Sequence, residues 1–391
     1  MVDNNLKHNK TFIIIPDSFK GSLTSEEVCS ITKNELSQKY PDAKILTYPV
    51  ADGGEGTVEC FLHCMKNGKK IYTQTVDAFG KNVETDYAIF DNSSKVAVIE
   101  LAKVCGLPQA QERGILNPEI TSTYGVGLLI KNAIEKGCTK IILGLGGSST
   151  NDCGCGLAAA LGVKFSKNKK HKNSHLEQNS FFVPVGKTLC DVQHIDTNEA
   201  TKKLHNIEIV AMCDINNPLY GKNGAAFVFA PQKGADKKMV LQLDKNLKKI
   251  ARIIKKDLKI NVQKISGSGA AGGCGAGVVA FLNGKLKNGI ETVLQMINFD
   301  KLLKTEKNII VITGEGKLDS QSFQGKVVGS ICKHTKNIET IAICGCIGDI
   351  PKNWKEKGLS KFFAITPEGM SFNEAKKTAK ANLIKCIKNN L

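Results

Sequence analysis

Apolar runs and polar loops alternate along the first 66 positions of the chain. TFIII (11–15) is an apolar, β-branched run, which predicts a strand. The loop PDSFKGSL (16–23) follows it, and Thr24 with Glu27 makes a capping box for a helix over SEEVCSITKNELSQ. AKILTYPV predicts the next strand, ADGGEGT (51–57) the next loop and VECFLHCMK the next helix. Strand, loop and helix in regular succession predict parallel βαβ units. The last hundred residues repeat the grammar. NIIVIT predicts a strand, GEGKLDSQSFQGK (314–326) a loop and VVGSICKHT a helix. IETIAICG and KFFAIT predict further strands, and FNEAKKTAKANLIKCIK a closing helix. The two ends are expected to share one parallel sheet.

The middle of the chain has a different pattern. IYTQTVDAFGKNVETDYAIFDNSSKVAVIELA predicts short strands with turns at 79–82 and 91–92, which is antiparallel chemistry. A helix over GVGLLIKNAIEKG and a strand over KIILGL then lead into the glycine-rich loop GGSSTND. The polar segment 167–180 is expected to be a surface excursion. The fold class expected is α/β: a Rossmann-like parallel-sheet domain (1–71 and 291–391) with an inserted mixed α/β domain (72–290). The active site is expected in the interdomain cleft.

Composition narrows the function classes. A length of 391 residues exceeds one ordinary core and suits two domains. No run reaches the roughly 18 apolar residues of a membrane span. The first ten residues are polar, unlike a signal peptide, so a cytoplasmic location is expected. The 14 cysteines include no Cys-x-x-Cys pair and are read as small buried hydrophobes in a reducing compartment. The net charge of +17 is spread along the chain without interleaved aromatics, so a nucleic-acid partner is not expected. The short basic run 167–172 reads as a solvated loop. A positive field also favours small anionic substrates. Arg113 and Arg252 are the arginines among 54 basic residues, and Arg113 is a candidate for a planar-fork contact.

Loops that follow parallel strands gather on the carboxyl edge of a sheet, where ligands bind. Asp17, Lys20, Asp52, Glu55, Glu315 and Asp319 lie in three such loops. Carboxylates there can hold Mg²⁺ or accept a hydroxyl proton, and each can equally serve as a helix cap. Gly53, Gly54 and Gly56 permit positive φ and close approach of the backbone. In the middle region, 144–152 (GLGGSSTND) runs from a strand towards a small-residue helix and carries Ser148, Ser149 and Thr150. A phosphate cradle needs such hydroxyls and glycines, and tight helix–strand packing would also use them. GSGAAG (267–272) matches G-x-G-x-x-G, but lacks a second strand ending in an acidic residue about 20 positions on. Cys274 stands where a protein-kinase glycine loop needs valine. VGKT (185–188) has Phe181 where a Walker A motif needs glycine.

Eight strings occur in order: PDSFKGSL, ADGGEGT, STYGVG, GLGGSSTND, CDINNPLYGKNGAA, PQKGA, GAAGG and ITGEGKLDSQS. Together they resemble the type I glycerate kinase family from about residue 11 to 350. The resemblance implies ATP-dependent phosphorylation of D-glycerate, with 2-phosphoglycerate as the expected product, ADP release and Mg²⁺. It carries over Asp17, Ser18, Lys20, Asp52, Gly53, Gly54, Glu55, Gly56, Glu315 and Asp319 from the first domain. From the second it carries over Ser149, Thr150, Asn151, Asp152 and Asp214, with Arg113 ahead of STYG. Ser149, Cys153, Cys155, Asn216 and Ser322 depart from the family's commoner residues by small or near-isosteric changes.

Within that frame the expected roles divide as follows. Asp319 or Asp52 accepts the hydroxyl proton or ligates the metal, Lys20 is the third catalytic candidate, and Lys20 or Arg113 pairs with the substrate carboxylate. Asp17, Ser18, Lys20, Arg113, Gly53, Gly54 and Glu55 bind glycerate. Gly146, Gly147, Ser148, Ser149, Thr150, Asn151, Gly269, Gly272 and Gly273 bind ATP phosphates. Asp152, Asp214 and Glu315 are the expected metal ligands. Partners are small molecules, without nucleic acid or membrane, for a monomer or homodimer. Two other classes stay open: an NAD-dependent oxidoreductase acting on a small hydroxy acid, and a non-catalytic anion-binding protein. ADP production with ATP, Mg²⁺ and a panel of hydroxy acids separates all three.

Overall fold

In the run TFIIIP, successive side chains leave a strand on opposite faces, and here both faces are apolar. Phe12 and Ile14 point into one core, with Val28, Leu36, Leu383 and Ile387. Ile13 and Ile15 point into another, with Leu294, Phe299, Val311 and Ile331. The strand is therefore central, with helices on both sides. A computed structural model describes residues 10–19, 21–51, 53–65, 67–91, 94–168 and 181–391.

The chain divides into two compact units. The first comprises Met1–Ala51, Glu59–Lys66 and Ile290–Leu391; the second comprises Asp52–Val58 and Asn67–Gly289. The first unit holds a five-stranded sheet. Its order is Lys361–Ala364, Glu339–Cys344, Ile309–Gly314, Thr11–Pro16, Lys44–Thr47. Every neighbouring pair is parallel, so the two ends of the chain share one sheet. Helices Ser25–Lys39 and Phe372–Asn390 cover one face, and Phe299–Thr305 and Val327–His334 the other.

The Ser25–Lys39 helix starts where its capping box lies. Glu27 N donates to Thr24 Oγ1 at 3.1 Å, and Thr24 N donates to Glu27 Oε2 at 2.8 Å. Thr24→Ala frees an N-terminal donor and should lower stability by about 1 kcal/mol, read from a denaturant titration.

The second unit holds a six-stranded mixed sheet. Its order is Lys285–Lys287, Glu208–Met212, Lys140–Gly144, Lys95–Glu100, Asn82–Asp91, Gly68–Val76. The last three strands form an antiparallel meander, as their turn chemistry predicts. The other pairings are parallel. The helix Lys237–Leu258 turns Val240, Leu243, Leu247, Ile250 and Ile254 inwards at three- and four-residue spacing. Among the described residues no helix is long and apolar enough to cross a membrane. All 14 cysteines are free thiols, most of them buried. Residues 169–180 of the polar segment lie outside the described residues.

Candidate active site

In the first unit, strand order runs outward in both directions from the pair Thr11–Pro16 and Ile309–Gly314. Such a switch point leaves a crevice at the carboxyl ends of the two strands. Pro16 pairs with Gly314, so Asp17 and Glu315 emerge side by side. Asp17 N donates to Gly314 O at 2.8 Å, and Ser18 N donates to Asp17 Oδ1 at 2.6 Å. Two candidates that are 298 positions apart are thus brought together by the register of one sheet.

Glu315 is 5% exposed, and its Oε1 has no hydrogen-bond partner among the described residues. Burial pushes its carboxyl up to about 7, and Asp17 and Asp319 add to the rise. The Ser322 hydroxyl and the Lys326 ammonium pull against it. Asp319 is placed differently. Its Oδ1 accepts from Gln321 N at 3.0 Å, capping a short 3₁₀ turn, and Lys317 Nζ lies 3.6 Å from Oδ2. A cavity of about 240 Å³ lies at the same edge, lined by Phe19, Ser22, Gly316, Gly345, Thr366 and Lys376, among others. Lys20 and Asp52 lie outside the described residues.

Residues 53–58 of the ADGGEGT loop group with the second unit. Gly146 N donates to Gly53 O at 2.9 Å. A Cβ on Gly144 would come 2.4 Å from Gly53 O, and one on Gly146 would come 2.6 Å from Gly54 Cα. The glycines therefore let two backbones touch. Glu100, 1% exposed, secures the loop by accepting from Val58 N at 2.5 Å and Gly56 N at 3.3 Å. Burial raises its carboxyl above the usual range, partly offset by those two donors. Glu55 is exposed. Arg113 is paired within the protein by a single contact: its Nη2 lies 2.6 Å from Asp77 Oδ2.

Glu100, Gly144 and Met212 lie level on three adjacent parallel strands of the second sheet. The loops beyond them supply much of a cavity of about 310 Å³. Gly146, Gly147 and Ser148 line it, with Asp214, Lys233, Ala270 and Ala271. Leu107, Leu145, Met212, Ile215 and Phe229 form its apolar wall. The second glycine loop reaches the cavity through Ala270 and Ala271, while Gly269, Gly272 and Gly273 serve packing. Gly272, at φ +65°, donates nothing to the cavity wall; a Cβ there would meet Thr150 O at 2.0 Å. Cys153 N donates to Gly272 O at 3.1 Å, so the two glycine loops are in direct contact.

Ser149, Thr150, Asn151 and Asp152 are all buried behind that wall. Ser149 Oγ donates to Cys105 O at 2.9 Å. The Thr150 hydroxyl and the Asn151 amide have no hydrogen-bond partner among the described residues. Asp152 accepts four hydrogen bonds. Thr123 N and Thr123 Oγ1 donate to Oδ2 at 2.8 Å each, Gly156 N to Oδ2 at 3.2 Å, and Gly154 N to Oδ1 at 3.0 Å. Burial raises its carboxyl, and those donors offset the rise. With both oxygens engaged, Asp152 braces the turn and has little left for a metal ion. Asp214 Oδ1 accepts from Gly289 N at 2.7 Å, and the residue lines the cavity. Among the described residues no group of three or more His, Cys, Asp or Glu side chains is arranged to hold a metal.

Sequence reasoning passes over two residues here. Glu100 closes an apolar strand, which hides a buried carboxylate among core positions. Lys233 sits in PQKGA, a string that signals resemblance but gives its lysine no task. Its Nζ donates to Ser148 Oγ at 2.9 Å and Thr150 O at 2.7 Å, and burial pushes the ammonium down to about 8.

Comparison with known proteins matches this architecture. The glycerate kinase family model covers residues 12–390. A glycerate kinase of Bacillus cereus is 40% identical over 381 residues, 96% of each chain. The glycerate 2-kinase of Escherichia coli K12 is 36% identical, again over 96% of each. A solved structure of a proposed glycerate kinase 2 from Salmonella typhimurium LT2 superposes with a TM-score of 0.80 at 34% identity, covering 97% of both chains. Matched from end to end in sequence and architecture, the chain belongs to the glycerate kinase family.

Proposed function

We propose that the protein transfers the γ-phosphoryl group of ATP to the C2 hydroxyl of D-glycerate, releasing 2-phosphoglycerate, ADP and a proton. The observation that carries this reading is the buried Glu315 carboxylate at the switch point of a parallel sheet, with one oxygen unpartnered among the described residues. A carboxyl near 7 is poised to accept a hydroxyl proton at neutral pH. Its role thus moves from metal ligand to base. Asp319 then keeps the 314–326 loop in shape through its cap. Asp17 and Ser18 position the glycerate hydroxyls, and Lys20 pairs with its carboxylate.

The cavity of the second unit would take the nucleotide. Its apolar wall suits a base, and the backbone of 146–148 suits phosphates. Mg²⁺ commonly uses one or two carboxylates together with substrate phosphates. Asp214, lining that cavity with one oxygen already oriented by Gly289 N, fits that habit, and Asp152 does not. The ion would neutralise phosphate charge. Phosphoryl transfer asks mainly for such positioning and charge stabilisation.

The C2 assignment draws on the name of the Escherichia coli relative. Incubation with D-glycerate, ATP and Mg²⁺, followed by ³¹P NMR with proton coupling, distinguishes the products. A secondary phosphate ester couples to one proton and a primary ester to two. A doublet is expected. A triplet would move the reaction to C3, and absence of any ester or ADP would overturn the reading altogether.

A further inference from the structure

We propose that Lys233 binds the phosphates of the nucleotide, making the PQKGA turn a part of the nucleotide site; this rests on the nucleotide reading of the cavity. Lys233 is 2% exposed yet lines the cavity. Its two acceptors, Ser148 Oγ and Thr150 O, are neutral. Among the described residues no carboxylate lies within 4.0 Å of its ammonium. Asp152 acts on the ammonium only from beyond salt-bridge distance, and burial outweighs it; a buried cation with no counter-anion in contact is costly, and the cost falls when an anion enters beside it. An ammonium has three donors, and these two bonds use two of them.

The surroundings favour a phosphate as that anion. Gly146, Gly147 and Ser148 line the same cavity, and Gly147 takes φ +74°, the type of backbone turn that forms anion-binding concavities. The lysine's own backbone is fixed. It ends the 3₁₀ turn Pro231–Lys233, and a Cβ on the following Gly234, at φ +94°, would lie 2.2 Å from Leu116 O. Burial holds the ammonium near 8, so most of it is charged at neutral pH. A purely structural Lys233 would instead clamp the 231–234 turn to the 148–150 loop, and its loss would affect all ligands of the cavity alike.

Titration calorimetry with ATP, ADP and adenosine, with Mg²⁺ and without glycerate, separates the two. Lys233→Met should weaken ATP and ADP about 10–100-fold, the worth of a charge-assisted hydrogen bond. Adenosine binding should be unchanged. Equal weakening of all three, or none, overturns the proposal. Leu107→Trp, which fills the apolar wall, tests the cavity itself. If it leaves ATP and adenosine binding unchanged, the nucleotide reading of the cavity fails. If it abolishes both while Lys233→Met binds ATP as the native protein does, the Lys233 proposal alone fails. Should Lys233→Met not fold, the native protein can be treated with pyridoxal phosphate and borohydride and its peptides mapped. Labelling of Lys233 that ATP prevents and adenosine does not is the expected result. An unlabelled Lys233, or a label indifferent to ATP, overturns the proposal.

Discussion

Glu315→Gln should reduce kcat by about 10²–10⁴, the usual cost of losing a general base. The shape of the substituted side chain is nearly the same, so the glycerate KM should change far less than kcat. The native enzyme should show kcat falling below pH about 7, where the carboxyl that burial holds at that value takes up its proton. The variant should lack that limb. Turnover within tenfold of the native enzyme would remove Glu315 as the base and pass the role to Asp319, tested by Asp319→Asn.

The same carboxyl predicts a change in stability with the opposite sign. Its folded-state value lies above the ordinary 4.5, so the folded protein holds the proton more tightly than the unfolded chain. The stabilising contribution is complete below about 4.5 and is lost as pH rises through about 7. Above that range Glu315→Gln should be more stable than the native protein, by on the order of 3 kcal/mol at most. Little difference should remain near pH 4. Thermal midpoints at pH 5 and pH 8 check this. A less active, more stable variant is the pattern expected where a site holds a group in an unfavourable setting for function.

Asp152→Ala should lower stability by about 3–5 kcal/mol, because four buried donors would lose their acceptor at once. A denaturant titration without metal measures it. A loss below about 1 kcal/mol would mean that the cage around Asp152 contributes little. The metal-ligand alternative makes a different prediction. In that case Mg²⁺ would stabilise the native protein, the variant would not respond, and the two would match without the ion. Because Asp152 orients the 150–156 turn behind the cavity wall, nucleotide binding should weaken together with stability.

Much of the fold is legible locally. The apolar run TFIII, buried on both faces, marks a central parallel strand, and Thr24 with Glu27 marks the start of the next helix to the residue. The turn at 79–82 reports the antiparallel meander, because glycine there takes the positive φ such turns require. The contact between the ends of the chain also follows, since βα units at both ends must each bury two apolar faces.

The site is legible as a set of segments and not as a set of roles. The sequence alone determines which loops are rich in glycine, carboxylate and hydroxyl groups, and their order identifies the family. It does not determine that Glu315 is buried beside Asp17, that both oxygens of Asp152 are engaged by donors, or that Gly53 and Gly54 lie against the 144–146 backbone. Neither does it show a buried ammonium at Lys233. A carboxylate's proton affinity depends on how much water and charge surround it, and those surroundings come from strands hundreds of positions apart. Hydrogen-bond capacity left over for a ligand is likewise a remainder after tertiary partners are counted. Local pattern can fix backbone conformation, because neighbours in sequence decide it. Only the tertiary structure could decide which carboxylate brings a raised pKa to the sheet's edge and which cation is buried at the cavity.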